Sequence, residues 1–221
     1  MTYDYEGLDF ERLGHASVKI SGENSPVIYI DPWSEVISES PGDADYVIIT
    51  HDDFDHYDPE AIEKVAKLET KIIMYKEIDG SEVNRSFETI GADEVRDFNG
   101  FSIETLQGYN LEDGDHVDEE GNPYHAQGEV IGVKLDINGI SVLFTSDTDY
   151  LDVHDGLDVD VLIPPIGGHY TMNRHQAAEL AESLKPEIVL PVHYDTFEPI
   201  ETDEEEFKKE LEDKGIKTVL F

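Results

Sequence analysis

The sequence predicts a strand-dominated α/β chain, on three observations. Short apolar runs rich in Val, Ile and aromatic residues recur along its length. Helical patterns fall between those runs in both halves. No low-complexity linker divides the chain, so residues 1–221 are expected to form one domain with a substantial buried core.

The expected strands are, in order, SVKI (17–20), PVIYID (26–31), DYVIIT (45–50), KIIMY (71–75), FSIETL (101–106), EVIGVKLDI (129–137), ISVLFT (140–145), VDVLIP (159–164), EIVLPV (187–192) and KTVLF (217–221). Asn138-Gly139 between two of these runs signals a hairpin with a type I′ turn. A first helix opens with Asp58 as N-cap and Pro59 at the first helical position, with Ile62, Val65 and Ala66 on one face. A second covers 173–184 and stops before Pro186. A third, strongly acidic, covers 203–213. Residues 108–128 read as one long polar loop, a length that usually carries function or disorder.

Composition excludes several classes. There is no cysteine, so disulfides, thiolate-bound zinc and thiol nucleophiles are ruled out. The first residues, MTYDYEGLDF, lack a basic and then apolar leader, and no apolar run reaches a membrane span. A cytoplasmic protein without a membrane partner is expected. The formal net charge is −37, spread along the chain rather than gathered in a tail. Near 1 M salt the Debye length is about 3 Å, which screens such self-repulsion, so adaptation to a salt-rich cell is expected. The same charge argues against a nucleic-acid partner, which needs a basic footprint.

THDDFDH (50–56) gathers His51, Asp53, Asp55 and His56 directly after the run YVIIT. A random His-x-x-x-Asp-His would arise roughly 0.04 times in a chain of this length. A strand before it and a capped helix after it make accident less credible still. Asp147 follows SVLFTS and His193 follows IVLPV, each just beyond an expected strand. His125 closes the long loop ahead of EVIGVKL. Side chains at strand ends are held by a rigid sheet, so distant segments can bring ligands to one rim.

The run resembles the metallo-β-lactamase superfamily signature, His-x-His-x-Asp-His. The resemblance continues in GHASVKI (14–20) and IDPW (30–33), which look like its opening strands. YHAQGEVIGVKLDINGISVLFTSDTDY and IPPIGGHYTMNRHQAAELAESLKPEIVLPVHYDTF resemble its later ligand segments. The wording is similar to the branch of small metal-dependent hydrolases that contains the ascorbate-phosphate lactonases. The resemblance implies a four-layer αββα sandwich with two divalent metal ions at one edge. It implies His51, Asp53 and His125 around the first metal and Asp55, His56 and His193 around the second, with Asp147 bridging. It further implies that a metal-bridged hydroxide attacks a small ester, lactone or phosphoester substrate, with Asp55 orienting the hydroxide or taking its proton.

At position 53 this chain carries Asp where the signature has His. Three carboxylates, two divalent ions and one hydroxide then sum to zero charge, and the harder oxygen donor suits manganese or iron better than zinc. The substitution also motivates an alternative, a non-catalytic or regulatory protein of the same fold with an impaired first metal position. A third reading, an acidic mimic or partner-binding surface, rests on net charge alone. A nuclease reading ranks low, because neither a basic patch nor an added domain is present to hold RNA. His15 and Asp31 are expected as hydrogen-bond partners of the ligands. The resemblance implies Tyr109 and Asn110 at the substrate pocket, and His169 is expected to reach the substrate. His116, His154 and His175 are expected to be solvated, and Gly167 and Gly168 to shape a turn.

Overall fold

Two mixed sheets form the centre of the protein, described here for residues 2–221 from a computed structural model. The first contains β1 (Thr2–Tyr5), β2 (Leu8–Gly14), β3 (Ser17–Gly22), β4 (Ser25–Ile30), β5 (Ala44–Ile49), β6 (Ala66–Tyr75) and β7 (Phe87–Ile90), in chain order. β1 to β4 run antiparallel and β4 to β7 parallel. The second contains β8 (Val95–Phe98), β9 (Phe101–Gly108), β10 (Val130–Ile137), β11 (Ile140–Phe144), β12 (Val161–Ile163) and β13 (Ile188–Val189). It repeats the plan, antiparallel from β8 to β11 and parallel from β11 to β13.

Burial follows strand position. β5 has parallel neighbours on both sides, and all its residues except Asp45 are buried. A central parallel strand is covered on both faces, which is why DYVIIT reads as a nearly unbroken apolar run. Phe10, Ile28 and Val47 of the first sheet share one buried cluster with Ile103, Val133 and Phe144 of the second. α1 (Pro59–Val65) adds Ile62 and Val65 to that cluster and packs against β6. In β11 the pleat sends Val142 and Phe144 one way and Leu143 the other. Leu143 joins Leu162 and Val189 in a second cluster, covered by Leu180 of α2 (Arg174–Leu184) and Phe207 of α3 (Glu204–Asp213). The layers are therefore helix, sheet, sheet, helices, the αββα sandwich.

The helix ends follow local chemistry. The Asp58 carboxylate accepts from the N–H groups of Glu60 and Ala61, and the other oxygen accepts from Ser34 N–H. Asn173 and Gln176 form a reciprocal capping box at the start of α2. Asn138 and Gly139 both have positive φ, 57° and 83°, giving the type I′ turn between β10 and β11.

Three expected strands differ. EIVLPV is a strand only over Ile188–Val189. In IDPW the strand ends at Ile30, because Asp31 turns into the left-handed region with φ 45° and Pro32 has no N–H for a ladder. KTVLF makes one isolated bridge, Thr218 to Val189, because the neighbouring strand β13 has only two residues. Four short strands, β1, β2, β7 and β8, were not expected. β1 and β8 show half-exposed alternating patterns without an apolar run. No helix among the described residues is long and apolar enough to cross a membrane.

Candidate metal centre

The parallel strands all deliver their C-terminal ends to one edge of the sandwich, where open α/β sheets bind ligands. Asp31 follows β4, His51 follows β5, Asp147 follows β11, and His193 lies beyond β13. His15 sits in the β2–β3 turn and His125 just ahead of β10, at the same edge through their antiparallel neighbours. Asp53, Asp55 and His56 lie in the turn between β5 and α1, closed by hydrogen bonds from His56 N and Tyr57 N to Asp53 O.

The donor atoms fall into groups whose members lie within 4.8 Å of one another. One is His51, Asp53 and His125; another is Asp55, His56 and His193, joined by His15. Asp147 lies between them. Its Oδ2 is 2.9 Å from His193 Nε2, 3.6 Å from His56 Nε2 and 3.9 Å from His125 Nε2. Asp53 Oδ2 is 3.2 Å from His125 Nε2 and 3.8 Å from His51 Nε2. Asp31, His51 and His56 form a third such group. It reaches the imidazoles from their far side, because Asp31 meets His56 at Nδ1.

The hydrogen bonds behind the imidazoles fix which nitrogen faces the cavity. Asp31 Oδ2 accepts from His56 Nδ1–H at 2.9 Å and from the Thr50 hydroxyl at 2.6 Å. With its proton given to Asp31, the Thr50 oxygen accepts from His51 Nδ1–H at 2.9 Å. His125 Nδ1 lies 3.2 Å from both Asn110 Oδ1 and Tyr170 O, to which its N–H donates. In the neutral rings, each Nε2 then presents a lone pair forward. Asp55 is met by His15 Nε2 at 2.9 Å, and Thr196 Oγ1 lies 3.2 Å from His15 Nδ1.

Charge balance and strain mark the same place. Burial opposes charge on His56, but Asp147, Asp31 and Asp55 outweigh it and raise its pKa to about 10. Burial works against ionised Asp147 too, yet His193, His56 and His51 hold its carboxyl well below the usual range. Burial, reinforced by His56, keeps His51 neutral by lowering its pKa well below the ordinary value. Burial likewise lowers His15 to about 4 despite Asp55. The left-handed backbone region is occupied by His15, Asp31, Ser146, His169 and His193, with φ between 45° and 59°. Each such non-glycine residue costs roughly 1–3 kcal/mol, and such strain gathers at functional sites.

The donor set fits divalent cations. Buried polar atoms normally have partners, yet Nε2 of His51 and of His56 are buried without one. Both point at a centre rich in carboxylate oxygen, the environment of a cation rather than of water alone.

A cavity of about 420 Å³ opens over these donors. Asp53, Asp55, His125, Asp147 and His193 form its floor, and Phe54, Tyr124, Tyr170 and Phe197 its walls. These walls had no signal in the sequence beyond Phe54 standing inside the motif. Tyr109 lies outside this cavity and lines a neighbouring depression. Asn110 is buried behind His125 rather than facing substrate space. His169 stands behind the wall, its Nε2 3.3 Å from Tyr124 Oη. His116 and His154 are buried, against expectation. His116 pairs with Asp149, and His154 Nδ1 accepts from Leu151 N–H. His175 is exposed as expected.

Comparison with known proteins places this geometry. The family model of the beta-lactamase superfamily domain matches residues 9–193. The chain belongs to the beta-lactamase superfamily. Within the superfamily it belongs with the UPF0173 metal-dependent hydrolases. It is 31% identical to one from Archaeoglobus fulgidus, over 92% of this chain and 90% of that protein. It is 33% identical to another from Thermococcus kodakarensis, over 94% of each. The solved structure of Igni18, a metallo hydrolase from Ignicoccus hospitalis, superposes with a TM-score of 0.77 at 26% identity, covering 97% of this chain and 94% of that one.

Proposed function

We propose that this superfamily member is a hydrolase that uses two divalent metal ions on a small ester, lactone or phosphoester substrate. The observation that carries the proposal is the convergence of His51, Asp53, Asp55, His56, His125, Asp147 and His193 on one edge of the sandwich, where five of them floor the cavity and His51 and His56 lie directly beneath. In this reading His51, Asp53 and His125 hold one ion, Asp55, His56 and His193 the other, and Asp147 touches both. Two such ions, when bound, acidify a water molecule and polarise the bond to be cleaved.

The chain's own groups do the rest. Asp31 and Thr50 fix the tautomers of His56 and His51, and Asn110 fixes that of His125. Asp55 is held ionised although burial opposes it, because His15 and His56 favour its charged form. It is therefore present as the carboxylate, the form that orients the attacking water and can receive its proton, with the lowered pKa making it a weak base. The protons stored on the metal-free site, chiefly on His56, leave when the cations enter. Asp53 adds a hard oxygen donor, which favours manganese or iron over zinc.

The test is reconstitution. Protein stripped with a chelator should hydrolyse neither esters nor phosphodiesters and should recover activity with manganese or iron at least as well as with zinc. Ester hydrolysis that persists unchanged in stripped protein would exclude the metal from the reaction. Recovery by zinc alone would overturn the role given to Asp53.

A further inference from the structure

We infer that the cavity selects a neutral substrate bearing a flat apolar or aromatic group, and this rests on the hydrolase reading above. Phe54 is the first observation. It sits between Asp53 and Asp55, yet the residue is 68% exposed and lines the cavity. It belongs to an aromatic wall, with ring centroids 6.0 Å from Trp33 and 6.4 Å from Phe197, which are themselves 5.8 Å apart. A second wall pairs Tyr124 with Tyr170 edge-on at 4.9 Å, backed by His169 at 4.4 Å from Tyr170. Aromatic faces and edges of this kind hold another flat ring by offset or edge-on contact.

The second observation is the missing counter-charge. Among the described residues, no lysine or arginine lines the cavity. Arg12, behind His15, donates to His15 O and Tyr194 O and stacks on the Tyr194 ring at 3.8 Å. The N-termini of α1 and α2 are capped by their own Asp58 and Asn173. Away from the metal positions, anionic groups are recognised by guanidinium forks, ammonium groups or free helix N-termini, and none of these is free in the cavity walls. On the floor, Asp53, Asp55 and Asp147 with two divalent ions and a hydroxide only sum to zero, and the chain as a whole carries −37. A substrate with an anionic group outside the reacting bond finds no partner in the walls; a neutral carbonyl ester or lactone needs none.

The reaction needs only water as co-reactant. The water oxygen forms the new bond to the acyl carbon as one of its protons passes to Asp55. The acyl C–O bond breaks, its electron pair leaves on the alkoxide oxygen, and Asp55 returns the proton to that oxygen to give the alcohol. The acid product releases the second water proton to solvent and leaves as the carboxylate.

The test compares methyl phenylacetate, methyl propionate and the monomethyl ester of succinate, which share one leaving group, with diphenyl phosphate beside them, on the reconstituted protein. Expected is a kcat/KM at least about tenfold higher for the phenylacetate than for the propionate, with the succinate monoester lowest of the three. Phe54→Ala should reduce the phenylacetate value about tenfold and the propionate value far less. Preference for the succinate monoester, or a phenylacetate preference untouched by Phe54→Ala, would overturn the inference while leaving the hydrolase reading standing. If none is cleaved, the hydrolase reading fails, and binding decides the inference alone. Trp33 is the only tryptophan and packs against Phe54 and Phe197 of the wall, so its emission reports a ring bound against them. Titration with phenylacetamide should give a saturable change that Phe54→Ala weakens and succinamate does not produce. No change with phenylacetamide would overturn it.

Discussion

Replacing Asp31 with Asn changes almost no volume, yet it should disarm two metal-facing histidines at once. The carboxylate is fully buried, and three donors converge on it. Oδ1 accepts from Thr50 N–H at 2.9 Å; Oδ2 accepts from the Thr50 hydroxyl at 2.6 Å and from His56 Nδ1–H at 2.9 Å. An amide offers only one acceptor atom. With its NH2 in place of Oδ1, that group opposes the Thr50 N–H and leaves two buried donors unpaired, a cost of about 1–3 kcal/mol for each. With its NH2 in place of Oδ2, His56 Nδ1 and the Thr50 oxygen must both accept. His56 then carries its proton on Nε2. The Thr50 hydroxyl turns to donate to His51 Nδ1 or Ser146 Oγ, and donation to His51 moves that ring's proton to Nε2 as well. Loss of such supporting bonds costs roughly 10- to 100-fold in metal affinity, or about 1.4–2.7 kcal/mol. Competition with a chromophoric chelator measures it. Asp31→Asn should weaken both equivalents by that range. Asp45→Asn is the control; it also removes a backbone acceptor, for Val27 N–H, but in a carboxylate bound to Lys67 instead of a ligand. Equal affinities for wild type and Asp31→Asn, within twofold, would refute the reasoning.

Three other outcomes follow from the same structure. Asp149 accepts from Leu111 N–H, Asn110 Nδ2 and His116 Nδ1, and Asn110 in turn supports His125. Asp149→Ala should cost about 3–5 kcal/mol and open residues 108–128 to proteolysis; unchanged cleavage there would show that Asp149 does not hold the loop. His154 is neutral when folded, because burial depresses its pKa from 6.5 to about 4. Its contribution to stability is complete above pH 6.5 and is lost as pH falls toward 4, by up to about 1.4 kcal/mol per pH unit. His154→Gln should flatten that slope in denaturant titrations, and an unaltered slope would count against it. Finally, a net charge of −37 should make the thermal midpoint rise steeply between about 0.1 M and 1 M salt. A midpoint independent of salt would contradict the reading of the acidic surface.

The sequence exposed those parts of the fold in which one residue's chemistry determines its surroundings. Asp58-Pro59 marked the start of α1, and Asn138-Gly139 the β10–β11 turn, because caps and left-handed turns depend on local atoms. β5 was visible because burial on both faces demands an apolar run. β1 and β8 were not, since half-exposed strands take their order from neighbours. The same divide runs through the candidate site. His51, Asp55 and His56 stand in a compact motif, and the expected partner Asp31 lies against two of them through Thr50 and His56 Nδ1. His116 looked solvated because the Asp149 that pairs with it lies 33 residues away, at a spacing no pattern marks. Tyr124, Tyr170 and Phe197 form the cavity walls only after distant loops meet. Tyr109, adjacent to Asn110 in sequence, faces a different depression.

In the proposed function this edge of the sandwich holds two divalent cations, with Asp53 as a working ligand. The most direct measurement is the metal content of protein purified in high salt without chelator, by mass spectrometry of the metals, beside Asp53→Ala. The account predicts about two manganese, iron or zinc ions per chain, falling to about one in the variant. One ion or none in the wild type after reconstitution would contradict it, and would favour a non-catalytic protein with a broken first position.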